Sequence, residues 1–194
     1  TFFPMVELLE GDVTGYIPTN LISMTDGQIL LSTQLFSEGF KPAIDLGLSV
    51  SRIGSKVQWK AMRKVAGKLR LNYLQYRQKL QMSKLQSGER SKEFIEQMKE
   101  GEILTELLIQ DKDNPRPMVE QIMLFYGLNK KIFHNLEMEQ IRTMKTQIYD
   151  FTVKNFPDFV REFSEKKELL PQFEKQMDNI FAQYFKSVAQ NKTA

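Results

Sequence analysis

Ile44-Asp45-Leu46-Gly47-Leu48-Ser49-Val50-Ser51-Arg52-Ile53-Gly54-Ser55-Lys56-Val57-Gln58 is where the sequence changes its period. Before Gly54 the texture is one of short apolar runs, Met5 to Leu9, Ile29 to Leu31 and Ile44 to Val50, broken by Gly11-Asp12, Pro18, Asp26-Gly27 and Gly39. Runs of that length between turn residues predict strands buried on both faces of a parallel sheet. Asp26-Gly27 alone also fits a hairpin turn. A segment so short closes no sheet of its own, so its strand edges need a cover from outside the segment.

After Gly54 the spacing becomes helical. Ser55 with Gln58 forms a capping-box pattern, and Val57, Ala61, Val65, Leu69, Tyr73, Tyr76 and Leu80 recur every three or four residues, which predicts one long amphipathic helix. Further helices are predicted over Ser91–Lys99 with a stop at Gly101, Glu102–Ile109, Pro117–Phe125 with a stop at Gly127, Glu137 to about Val153, and about Pro171 to Val188. The expected class is therefore α/β and then all-α, with 1–54 and 55–194 as the two parts.

Composition narrows the chemistry. With 41% hydrophobic and 26% charged residues in a chain of 194, a packed core is expected. The longest uncharged stretch, Val13 to Thr25, is too short and too polar for the about 20 apolar residues a spanning helix needs. There is no cysteine, and His134 is the single histidine, so thiol chemistry, a histidine metal site and a Ser-His-Asp triad have no members to draw on. No metal ligands are expected. The chain opens on Thr1 without a basic-apolar signal pattern, which suggests a processed, split or trimmed polypeptide.

Charge is uneven although the net is only +3. Lys56, Lys60, Arg63, Lys64, Lys68, Arg70, Arg77, Lys79 and Lys84 lie between 56 and 88 with no acidic residue among them, and Trp59, Tyr73 and Tyr76 are interleaved. A basic helix carrying aromatics is one form of RNA-binding or assembly module. A solvated or partner-facing helix side is the simpler reading, because the apolar face already uses both tyrosines. Glu102 and Glu106, one turn apart, are a carboxylate pair of the kind helices carry by chance, and no nucleophile accompanies them.

The segment Gly11-Asp12-Val13-Thr14-Gly15-Tyr16-Ile17-Pro18-Thr19-Asn20-Leu21-Ile22-Ser23-Met24-Thr25-Asp26-Gly27-Gln28-Ile29 resembles the pattern G-D-V-S-A-Y-I-P-T-N-V-I-S-I-T-D-G-Q-I of the alpha subunits of rotary, F-type ATP synthases. Pro42 to Gly54 is similar to R-P-A-I-N-V-G-L-S-V-S-R-V-G, Tyr76-Arg77 to A-Q-Y-R, and Leu104-Thr105-Glu106-Leu107-Leu108 to L-T-E-L-L; past about Gly127 only helix pattern remains. The resemblance implies the end of a P-loop-type nucleotide-binding sheet domain over 1–54 and a carboxy-terminal helical bundle over 55–194. It also implies a non-catalytic partner in a head of alternating alpha and beta subunits.

On that resemblance Arg52 matches the arginine finger that completes a neighbouring beta subunit's catalytic site, and Ser23 a serine near the same interface. Phe36, Lys41, Pro42 and Gln110 match positions around the adenine of a nucleotide that alpha binds without turning it over; Lys41 stands where arginine is usual, and Asn114-Pro115-Arg116 adds about two residues nearby. No G-x-x-x-x-G-K-[ST] occurs, and Ala66-Gly67-Lys68-Leu69 imitates only its end, so ATP or ADP with Mg²⁺ would be held mainly by other chains or the rest of alpha. The implied partners are the amino-terminal remainder of alpha, beta, the gamma rotor stalk and the peripheral stalk, with no nucleic acid. The implied place is the matrix side of the mitochondrial inner membrane, reached through the complex alone.

Overall fold

The computed structural model describes residues 2–85 and 91–193, which fall into two compact units, up to Gln58 and from Trp59 onward. The first unit holds a 3-10 turn at Leu9–Gly11, helix α1 (Tyr16–Met24), strand β1 (Gly27–Gln28), helix α2 (Thr33–Ser37), strand β2 (Val50–Ser51) and the single turn α3 (Gly54–Val57). The second is helical: α4 (Lys60–Ala66), α5 (Leu69–Leu85), α6 (Lys92–Leu108), α7 (Met118–Asn129), α8 (Met138–Asn155), α9 (Pro157–Lys166) and α10 (Pro171–Thr193).

The first unit departs from the parallel sheet expected of it. β1 pairs with β2 antiparallel, Gly27 opposite Ser51 and Gln28 opposite Val50, and Leu31 bridges Ile44 in the same sense. The backbone bonds Ser32 N to Ala43 O and Asp45 N to Leu30 O, both 2.8 Å, hold the chain in this antiparallel return. The Met5 to Leu9 run is not a strand. Asp26-Gly27 is not a hairpin turn: Gly27 belongs to β1 with φ 146°, and an added Cβ would stand 2.2 Å from the Val50 carbonyl oxygen. Only a residue without Cβ permits that approach.

Within Val13 to Thr25 the chain forms α1, a helix in a region read as short strands and tight loops. Thr14 N and Oγ1 both donate to Asp12 Oδ1 (2.8 and 2.6 Å), turning the chain, and Pro18 falls in the first helical turn, where its missing N–H costs nothing. Leu35, Phe40 and Ala43 are the hydrophobics buried here, whereas Phe2, Met5, Leu9, Met24, Ile29 and Leu31 are each more than two-thirds exposed. An apolar surface so large against so small a core is the mark of a surface made to be covered.

The second unit has a full core. Ile122, Met123, Ile141, Ile148, Phe163, Phe173, Met177 and Ile180 are wholly buried. Phe163 stacks on Phe159 at 5.5 Å within α9, and Phe173 of α10 meets both edge-on, at 5.2 Å and 6.1 Å respectively. Each such side chain contributes roughly 1.5–3 kcal/mol by leaving water.

Several helix limits differ from expectation. The Ser55/Gln58 capping box does not form: α3 has no side-chain cap and ends at an extended Gln58, and Val57 is exposed. The long helix is interrupted at Gln58-Trp59 and again at Gly67-Lys68. A capping box does form at Glu137 and Gln140, opening α8. Gly101 and Gly127 stop nothing. Each lies buried inside a continuous helix, beneath the rings of Tyr76 and Phe133 respectively. Periodicity also assigns no helix between 154 and 170, where α9 lies, with Pro157 at its start and Lys167 in the left-handed conformation just past its end.

Candidate functional site

Arg52 follows β2 directly. Its backbone N–H donates to Asp26 O at 2.8 Å, which brings the side chain over the end of α1. There Nη1 donates to Thr25 O (3.1 Å) and Nη2 to Ile22 O (3.2 Å). These carbonyls close the last turn of α1, where a helix exposes unsatisfied oxygens and favours positive charge. The guanidinium is exposed. Ser23 sits in the same turn, also exposed, its Oγ donating to Asn20 O at 2.7 Å. Arg52 and Ser23 are thus brought to one helix end. Thr25, which sequence reasoning passed over, ties that end to β1 by donating from Oγ1 to Leu21 O (2.9 Å) and Gly27 O (3.0 Å).

Phe36 and Lys41 are also brought together. The α2 N-cap, Ser32 Oγ, accepts from Leu35 N, and Ser32 N donates to Ala43 O at 2.8 Å, so the helix and the returning chain are fixed to each other. Lys41 Nζ lies 4.9 Å from the centre of the Phe36 ring, a cation–π contact, and the ring stays 59% exposed. Pro42 is exposed beside them, after a cis Lys41-Pro42 peptide. Gln110 belongs to the second unit, half-buried, just past the end of α6.

Beside Gln110, at the end of α6, lies a group of mostly buried charges that sequence reasoning missed, because the pairings between α6 and α8 span 36 to 39 residues. Glu106 leaves Glu102 on the exposed side of α6 and turns inward to Lys145 of α8, Nζ to Oε1 2.7 Å, with Arg142 Nε at 3.1 Å from Oε2. Arg116 pairs with Glu120. Burial would raise the Glu106 carboxyl, but hydrogen bonds and charge from Lys145 and Arg142 outweigh it and hold the group below its ordinary value. Burial pushes the Lys145 ammonium down against the pull of Glu106, and pushes Glu120 up against the pull of Arg116.

The basic stretch does not present its aromatics. Tyr73 and Tyr76 are buried, Lys60 pairs with Glu168, and Lys64 reaches Glu174 at 2.7 Å. Trp59 lies under Lys167 Nζ at 5.5 Å. Among the described residues no group of acidic, histidine or cysteine side chains is arranged to hold a metal ion, and no helix is long and apolar enough to cross a membrane.

Residues 1–51 match the model of the ATP synthase alpha/beta family, nucleotide-binding domain, and residues 58–184 that of the ATP synthase alpha/beta chain, C terminal domain. The chain belongs to the ATP synthase alpha/beta family. Among curated relatives it is 42% identical over 177 residues to "ATP synthase subunit alpha" of Aquifex aeolicus, covering 91% of this chain and 35% of that protein. It is 36% identical over 186 residues to the subunit of the same name from Clostridium acetobutylicum, 96% of this chain and 37% of the relative. The likeness to that of Dehalococcoides mccartyi is 35% over 188 residues, 97% and 37%. The chain spans little more than a third of the length of these relatives, and the part matched is the end of the nucleotide-binding domain followed by the C-terminal domain. The relatives being alpha subunits agrees with the sequence motifs, and the helical second unit occupies the stretch that the C-terminal family model covers.

Proposed function

We propose that this chain is the non-catalytic alpha-subunit part of a proton-driven ATP synthase head, with 1–54 the terminal part of the nucleotide-binding domain and 55–194 the helical domain. Arg52 is its arginine finger, directed to the catalytic site of a neighbouring beta subunit, and Ser23 supports the same interface. The observation that carries this is the exposed Arg52 guanidinium, held at a helix end by two carbonyls and, among the described residues, by no carboxylate. Hydrogen bonds from a charged donor of that kind are worth about 1.5–3 kcal/mol each. A planar fork on a transferring phosphoryl group is worth roughly 10³ to 10⁵ in rate in other systems. Leaving α1 for a phosphate exchanges two bonds to neutral carbonyls for shorter, stronger ones to an anion.

Phe36, Lys41, Pro42 and Gln110 contribute to the base end of a regulatory ATP or ADP site. An open ring face beside a cation suits a stacking base, and nothing among these residues cradles phosphate or binds Mg²⁺, so those contacts come from other chains or the rest of alpha. The exposed apolar surface of the first unit is covered by the amino-terminal remainder of alpha. Beta, the gamma rotor stalk and the peripheral stalk complete the partners. Membrane association passes through the complex, on the matrix side of the mitochondrial inner membrane; the relatives named above are bacterial and lend that membrane no separate support.

Purifying the tagged chain from its source at physiological salt and identifying what comes with it tests the reading. Beta and rotor-stalk polypeptides in fixed ratio are expected. RNA released by raising the salt, with no beta, would replace the proposal by the RNA-binding one, which the buried Tyr73 and Tyr76 disfavour.

A further inference from the structure

Lys145 Nζ has three donors, and all three are engaged: Glu106 O at 2.6 Å, Glu106 Oε1 at 2.7 Å and Ile109 O at 3.1 Å. The two backbone acceptors belong to the last turn of α6, whose carbonyls have no partner further along the helix. Ile109 is the C-cap, and its carbonyl belongs to the same peptide unit as the backbone N–H of Gln110. A planar peptide fixed at its oxygen is fixed at its nitrogen as well. The other end of the connection to α7 returns to the same residue, since Arg116 Nη1 donates to the backbone carbonyl of Lys145 at 2.8 Å and also pairs with Glu120. Arg116 O in turn accepts from Gln121 Nε2 at 2.8 Å.

We propose that Lys145 is a positioning residue for Gln110: its buried ammonium and its own carbonyl clamp both ends of the 110–116 segment to α8, fixing the direction in which Gln110 meets a nucleotide base. The proposal rests on the reading of Gln110 as a base contact. A lysine with its side chain only 7% exposed is costly to bury unless each donor is satisfied. The acceptors it has found include the one peptide oxygen that sets the Gln110 backbone. A clamp made of helix-end carbonyls holds a loop without occupying the ligand's place.

The test uses the assembled complex carrying Lys145→Met, Gln110→Ala or neither, with two readouts: amide hydrogen exchange of residues 110–116, and the preference for ATP over GTP of the nucleotide that the complex retains without turnover. Lys145→Met is expected to speed exchange at 110–114 at least tenfold while amides of Ile122 to Phe125 keep their rate, and to lower the base preference as Gln110→Ala does. Unchanged exchange at 110–114, or exchange accelerated equally through α7, would overturn the clamp. Base preference lost in Gln110→Ala but intact in Lys145→Met would overturn the positioning role. Base preference intact in Gln110→Ala would instead overturn the base-contact reading, with the clamp judged on exchange alone. Lys145→Gln, which removes the buried charge and keeps a donor, gives the same readings where Lys145→Met does not assemble.

Discussion

The ring of Tyr76 rests on the bare backbone of Gly101, so closely that an added Cβ would come within 2.1 Å of ring carbons Cγ and Cδ2. This contact joins α5 to α6, and it explains why a glycine stands in the middle of a seventeen-residue helix. In an open helix Gly→Ala gains about 1 kcal/mol from propensity. Here the methyl group must displace a ring that is itself 91% buried, and overpacking of that kind costs about 1–3 kcal/mol. Gly101→Ala is therefore expected to lower the thermal midpoint of the purified protein. A midpoint raised by the substitution would show that the ring moves aside freely.

Glu106 gives the second unit an acid-sensitive contribution. Its carboxyl lies below the ordinary value of 4.5 in the fold, so the folded protein keeps the charge at pH values where the unfolded chain takes up a proton. The stability it supplies is complete above about 4.5 and is lost as pH falls through the folded value. Glu120, raised by burial, works in the opposite sense over the same range, but it is common to both proteins and drops out of a comparison. Glu106→Gln leaves Lys145 buried without its counter-charge and should cost about 3–5 kcal/mol at neutral pH. Thermal midpoints from pH 7 to pH 3 should start lower for the variant and converge on the wild type as acid is added. Parallel curves would contradict the assignment.

How much of this was legible in the sequence depends on whether the cause was local. The apolar faces of the helices were, and Ile141, Met144 and Ile148 are buried as their spacing requires. The start of α8 near Glu137 was read from the spacing, but its capping box was not, because the pattern for one opens on Ser or Thr. Gly101 and Gly127 were misread as stops because their role lies in rings from other segments, Tyr76 and Phe133, that no local pattern announces. α1 was read among strands because apolar residues between turns look alike in either form. What decides for helix is the Asp12–Thr14 turn at one end and the Arg52 guanidinium at the other, thirty residues from Ile22.

The candidate site divides along the same line. Arg52, Ser23, Phe36, Lys41, Pro42 and Gln110 came from motifs, and the fold brings Arg52 to the turn that holds Ser23 and Lys41 to Phe36. Lys145 had no motif to find it by. Its partners Glu106 and Ile109 lie 39 and 36 residues away, on a different helix.

The central claim is that Arg52 acts on a partner's phosphoryl transfer and does more than close α1. As a helix cap it would be worth about 1–2 kcal/mol of stability and nothing in rate. As a finger it stabilises charge that develops only in the transition state. The direct measurement is the steady-state ATPase rate of matched, fully assembled complexes carrying Arg52, Arg52→Ala or Arg52→Lys. The finger assignment predicts a fall of at least about a hundredfold for Arg52→Ala with subunit composition unchanged, and a large fall for Arg52→Lys, whose ammonium keeps the charge and loses the fork. Turnover within a few fold of wild type in an assembled Arg52→Ala complex would contradict it.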